Sequence, residues 1–151
     1  MTIEVEVEDT TWTDVLPDAE AVVNRAAAAA LTAGGAGDEA TDVTVLLTDD
    51  GVSAALNQQY RGKSGPTNVL SFPAPESAQP HLGDLALSYG VCAREANEQG
   101  KPLPHHLSHL VAHGVLHLLG WDHQTDDEAE AMERLEREIL AGLDIPDPYG
   151  P

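Results

Sequence analysis

The chain has 151 residues, 42% of them hydrophobic, and carries 26 acidic against 7 basic side chains, a formal net charge of −19. That length fits one domain with its own core and the apolar content excludes global disorder, while the longest apolar runs, such as 26–31, are far too short to cross a bilayer. The charge opposes a broad nucleic-acid footprint, which is ordinarily basic, and the single cysteine, Cys92, excludes an internal disulfide and reads as a buried, inert thiol.

Residues 1–8 carry no basic stretch ahead of an apolar one, so no secretory signal and a cytoplasmic location are expected. Ile3, Val5 and Val7 alternate with Glu4, Glu6 and Glu8, the period of a half-buried strand. Residues 18–32 are alanine-rich and stop at Gly34-Gly35, which predicts a helix with a glycine end. Val43 to Leu47 is a β-branched run closed by Asp49-Asp50-Gly51, hence a strand and a turn, and either aspartate can cap a helix over about 52–59. The composition of 60–68, YRGKSGPTN, predicts a loop. Val69 to Phe72 reads as a strand, 74–81 as a second loop, and Leu82 to Leu87 as another strand; Ser88 is the expected cap of a helix through Gln99. Pro104 opens a helix from His105 to Leu119 that stops at Gly120. Thr125-Asp126-Asp127-Glu128 has capping-box form and opens a last helix to about Gly142. The tail, 144–151, holds three prolines and is expected as a surface arm. No repeat or linker divides the chain. The pattern predicts one α+β domain over 1–151, a small, mostly four-stranded mixed sheet packed with about five helices.

Five of the seven histidines lie between 105 and 117, and another is His123. His113 and His117 are four apart, so they share a helix face and can aim nitrogens at one ion at about 2.0–2.1 Å. Gly120 allows a left-handed exit that swings His123 back toward them. Three neutral imidazoles that leave a fourth position open suit a catalytic zinc, one per chain. His105, His106 and His109 read as solvated or packing residues, although His109 lies one turn before His113 and is within reach of the site. The string His113-x3-His117-x2-Gly120-x2-His123 is the metzincin metalloprotease spacing, but Gly114 stands where those enzymes carry their general-base glutamate. Asp122 either orients a ligand from behind or caps the helix end.

The stretch His113-Gly114-Val115-Leu116-His117-Leu118-Leu119-Gly120-Trp121-Asp122-His123 resembles the signature of the YbeY family, bacterial zinc-dependent endoribonucleases concerned with ribosomal RNA maturation. Leu56-Asn57 with Tyr60-Arg61, Pro66-Thr67-Asn68-Val69-Leu70-Ser71-Phe72-Pro73 and Leu82-Gly83-Asp84 match further family segments, in order, across about 43–140. Asn68 stands where the family usually has aspartate; asparagine keeps the size and one acceptor oxygen but loses the charge. The resemblance implies a cytoplasmic endoribonuclease, selective for single-stranded ribosomal RNA and working with the ribosome or its proteins, with zinc on His113, His117 and His123. It implies attack on phosphorus by water or by the RNA 2′-hydroxyl, with Arg61 as the catalytic residue that takes the developing phosphate charge and Lys63 as a weaker phosphate contact. Two other readings stand beside it: a metallohydrolase of amide bonds, disfavoured by Gly114, and a ribosome-associated zinc-binding factor without catalysis.

Overall fold

The computed structural model of the chain describes residues 1–36 and 41–150. The alternating amino-terminal segment forms β1 (Thr2–Val7), the β-branched run forms β2 (Asp42–Thr48), and the short segment after the first loop forms β3 (Val69–Pro73). With β4 (His81–Ser88) they make one sheet of order β1-β2-β4-β3, in which β1, β2 and β4 run parallel and β3 pairs antiparallel at the edge. Register explains why the sheet has a core face. Val5 lies beside Val45 and Val45 beside Leu85; Val7, Leu47 and Leu87 form the next row. The intervening Glu4 and Glu6 fall beside Thr44 and Leu46 on the other face.

Helices cover the core face. α2 (Ala19–Ala33) buries Val22, Val23, Leu31 and four alanines, side chains small enough to admit its neighbour α5 (Leu103–Leu118) closely. α5 buries Leu107, Val111, Val115 and Leu116 and crosses both β3 and β4. Each such fully buried Leu or Val contributes roughly 1.5–3 kcal/mol. α6 (Asp126–Gly142) lies across α2 and α5, its start capped as expected by Thr125, whose hydroxyl accepts from the Glu128 N–H at 3.1 Å. Among the described residues no helix is long and apolar enough to cross a membrane.

Four expectations need correction. Among the described residues there are six α-helices where about five were expected, because α1 (Thr11–Val15) was not foreseen; the fully buried Trp12 holds it, with its indole N–H donating to the Thr48 carbonyl at 3.0 Å. α3 spans Asp50–Arg61 rather than 52–59. Its cap is Asp49, whose carboxylate accepts from the Val52 N–H at 2.8 Å. The helix ends only where Gly62 turns left-handed at φ +64°, so Arg61 sits on a helix and not in a loop. Ser88 does not cap α4 (Tyr89–Glu98) with its side chain; its hydroxyl donates to Asp50, which also accepts from the Val91 N–H at 3.1 Å. Burial pushes the Asp50 carboxyl up, but these bonds and the Arg94 guanidinium outweigh it and hold it below the usual range. Finally, the loop 74–80 contains a 3-10 turn at Glu76–Ala78, and β4 starts at His81.

Candidate metal centre

His113 and His117 occupy the last turns of α5 on one face, with ring centroids 4.6 Å apart. The helix stops at Gly120, whose φ of +96° is costly for any residue with a Cβ. The Gly120 N–H bonds the His117 carbonyl and the Trp121 N–H the Leu116 carbonyl, each at 3.0 Å, the paired bonds of a glycine-terminated helix. The Trp121 indole N–H then donates to the Gly34 carbonyl at 3.1 Å, pinning the turn to the end of α2. His123 is thereby brought back, its ring centroid 5.5 Å from that of His113 and 5.0 Å from that of His117. One nitrogen from each of the three imidazoles lies within 4.8 Å of the others, so the three can hold one metal ion.

Behind them stands a residue that the sequence reading missed. Glu136 projects from α6 and is only 1% exposed. Both of its oxygens accept: Oε2 from His113 Nδ1 at 3.1 Å, and Oε1 from His109 Nε2 and from the Tyr149 hydroxyl at 2.8 Å. Burial alone would raise its carboxyl, but the bonds from His109 and His113 outweigh burial and hold it at about 2. It is therefore an anion at neutral pH. The signal was present in the sequence: Met132, Glu136, Ile139 and Leu140 are the buried stripe of an otherwise acidic helix.

Glu136 also decides which nitrogen His113 presents. With the Nδ1 proton donated to the carboxylate, Nε2 carries a lone pair, and it lies 3.1 Å from Nε2 of His117. Two nitrogens on a tetrahedral zinc, each at about 2.0–2.1 Å, are separated by roughly 3.3 Å. The observed spacing fits that edge. Burial, and then the neighbouring His113 and His123, lower the His117 pKa, which keeps its ring neutral, the form a metal requires.

The imidazoles open into a cavity of about 650 Å³ that Arg61, Asn68 and Tyr149 also line. Arg94, Arg134 and Arg137 are paired with carboxylates, whereas Arg61 has no such partner among the described residues. Lys63 is exposed and does not line the cavity. Asn68 has its side chain committed to the turn before β3: Oδ1 accepts from the Val69 N–H at 2.6 Å, and Nδ2 donates to Glu95 at 3.1 Å. Asp122 accepts from the His123 N–H at 2.8 Å, in the turn between α5 and α6, so it caps neither helix end. His109 lines the cavity; His106 is buried against Glu95; His105 lies outside it. Cys92 is buried, with its thiol pushed up to about 12, as an inert thiol should be.

Gly114 explains a departure from the protease pattern. A Cβ built there meets Leu85 Cδ2 at 2.7 Å and Ser71 Oγ at 3.3 Å. α5 thus rests closely on β3 and β4 at this point, and a side chain where metzincins carry their glutamate would have to displace Leu85.

The family model for Endoribonuclease YbeY matches residues 4–144 of the chain. A protein of that name from Rhodopseudomonas palustris (strain BisB5) is 54% identical over 142 residues, covering 87% of this chain and 73% of the relative. Another from Paramagnetospirillum magneticum is 48% identical over 156 residues, covering 98% and 95%. The solution structure of TM1509 from Thermotoga maritima shares the fold with a TM-score of 0.57 at 23% identity, covering 99% of this chain and all of that one.

Proposed function

This chain belongs to the YbeY family of endoribonucleases, and from that premise we propose that it cuts single-stranded ribosomal RNA with one zinc ion held by His113, His117 and His123. It is a hydrolase acting on RNA. The donor set supports zinc: three neutral imidazoles with no thiolate and a fourth direction facing the cavity. A bound zinc supplies Lewis acidity toward a phosphoryl oxygen.

The chain's own residues do the rest. Glu136 holds His113 in the ligand tautomer and supplies a buried negative charge behind the cationic centre. Attack on phosphorus comes from water or from the adjacent 2′-hydroxyl, and in both cases negative charge grows on the phosphoryl oxygens. Arg61 carries a planar cationic fork at the wall of the same cavity, free of a carboxylate among the described residues, and takes that charge. This pairing of the three imidazoles and an unneutralised arginine in one cavity is the observation that carries the reading. With a net charge of −19 the chain's own field repels RNA, so a ribosomal partner or screening cations must supply the approach. The place of action is then the cytoplasm, where ribosomes are assembled.

The test is cleavage of a single-stranded ribosomal RNA fragment by the zinc-loaded protein, with zinc measured on the same sample. Cleavage that disappears with chelator and returns with zinc supports the reading. Zinc-loaded protein that cleaves no RNA would put the non-catalytic binding factor ahead, and cleavage of casein would revive the amide hydrolase.

A further inference from the structure

The tail, expected on the surface, runs there from the end of α6 to the metal cavity. Lys101 Nζ donates to the Pro148 carbonyl at 2.8 Å, and the Arg137 guanidinium meets Asp147 at 3.2 Å. Asp147 in turn accepts from the Tyr149 N–H at 2.8 Å. These contacts deliver one aromatic ring to the cavity wall. Its hydroxyl donates to the buried Glu136 at 2.8 Å, its ring meets His109 edge-on at 5.3 Å, and the Arg137 guanidinium stands 5.2 Å over its centroid. Nevertheless Tyr149 as a residue stays 41% exposed and lines the same cavity as the three imidazoles and Arg61. A large aromatic side chain anchored on several sides and still open to a catalytic cavity needs a reason beyond packing.

Resting on the RNA reading above, we propose that Tyr149 is the stacking platform for one unpaired base next to the scissile phosphate. The physical case has three parts. First, an aromatic ring held rigid pays little entropy when a base stacks on it, and every base offers a π-face, so the contact tolerates any sequence. Second, stacking is the attraction left to a chain whose net charge of −19 denies it a basic groove. Third, a base paired in a duplex is stacked between its neighbours and cannot lie on the ring without being extruded. Tyr149 is thus a source of single-strand selectivity.

The hydroxyl and the ring have separable duties, and two variants divide them. Tyr149→Phe keeps the ring and gives up one of the donors to Glu136; Tyr149→Leu gives up both. The experiment measures KM and kcat of wild type and both variants on a single-stranded oligoribonucleotide, and on the same oligonucleotide with an abasic site next to the cleaved bond. Zinc content is read in parallel. Expected is a KM raised on the order of 10-fold in Tyr149→Leu, nearly unchanged in Tyr149→Phe, and a gap between wild type and Tyr149→Leu that closes on the abasic substrate. A Tyr149→Leu protein with wild-type KM overturns the stacking role, as does a gap that persists on the abasic substrate. Equal losses of zinc and activity in both variants would show that the residue acts only through Glu136. Wild type that cleaves no oligonucleotide overturns the RNA reading itself, and this inference with it.

Discussion

α5 makes three histidine–glutamate pairs, from His106, His109 and His113, and the first and last of them are built the opposite way round. In His106–Glu95 the imidazole is buried, 4% exposed, and the carboxylate is 30% exposed. In His113–Glu136 the carboxylate is buried, 1% exposed, and the imidazole is 25% exposed. His106 spends its Nε2 on Glu95 at 2.9 Å and leaves Nδ1 buried without a partner among the described residues. His113 spends its Nδ1 and presents Nε2 to His117. The first pair is a strut that joins α5 to α4 and, through Asn68, to the turn before β3. The last is a ligand mount. Residue type does not distinguish them; what does is the nitrogen that the acid engages and the partner that burial keeps from water.

The largest expected effect removes His117, the neighbour to which the His113–Glu136 pair presents its free nitrogen. His117→Ala should remove most of the bound zinc and abolish RNA cleavage; elemental analysis that still finds one zinc per chain contradicts the assignment. Arg61→Ala comes next. If it meets charge that develops on phosphate, turnover should fall on the order of 10²–10³-fold with zinc content unchanged. Lysine should rescue only in part, because a point charge cannot bond two phosphate oxygens as the guanidinium fork does.

Glu136→Gln and Glu95→Gln set the two pairs against each other. Glutamine at 136 removes the charge and weakens the tautomer lock, so zinc affinity should drop roughly 10–100-fold. The same change at 95 should leave zinc affinity at the wild-type value. Competition with a chromophoric chelator reads both, and an equal loss in the two variants would erase the distinction. His106→Ala should cost about 1–3 kcal/mol of stability by denaturant unfolding, since it strips a buried hydrogen-bonded group, with zinc retained.

The smallest effect is one of pH. Burial lowers the His106 and His117 pKa values below the ordinary 6.5. Groups whose folded pKa is depressed contribute stability above the unfolded value and lose it as pH falls through the folded one. Melting temperature should therefore decline on acidification below about 6.5. Zinc should steepen the decline, because bound imidazoles cannot take protons, and chelator should leave the shallower part that His106 and His117 carry through burial alone. Melting curves that coincide with and without chelator across this window would contradict it.

Much of the fold was legible because the signals were periodic and local. Ile3, Val5 and Val7 against three glutamates announce a strand, and the Thr125 capping box announces α6. The ligand string was equally local, two helical positions and a glycine turn. What escaped depends on distant contacts. α1 is five residues long and exists because Trp12 reaches Thr48 across the fold. Arg61 read as loop because glycine, serine and proline follow it, whereas α3 holds its last turn up to Gly62. Glu136 lies 23 positions from His113, and its part emerges only once α6 docks on α5. Tyr149 sits in a proline-rich stretch that composition alone reads as an arm.

The central claim is that three imidazoles, one of them fixed by Glu136, hold a single zinc with a position left open. X-ray absorption at the zinc edge on protein loaded with one equivalent tests it directly. The account predicts three imidazole nitrogens at about 2.0–2.1 Å with one further light-atom ligand. A sulfur ligand near 2.3 Å, which only Cys92 could supply, or a second metal scatterer would contradict it.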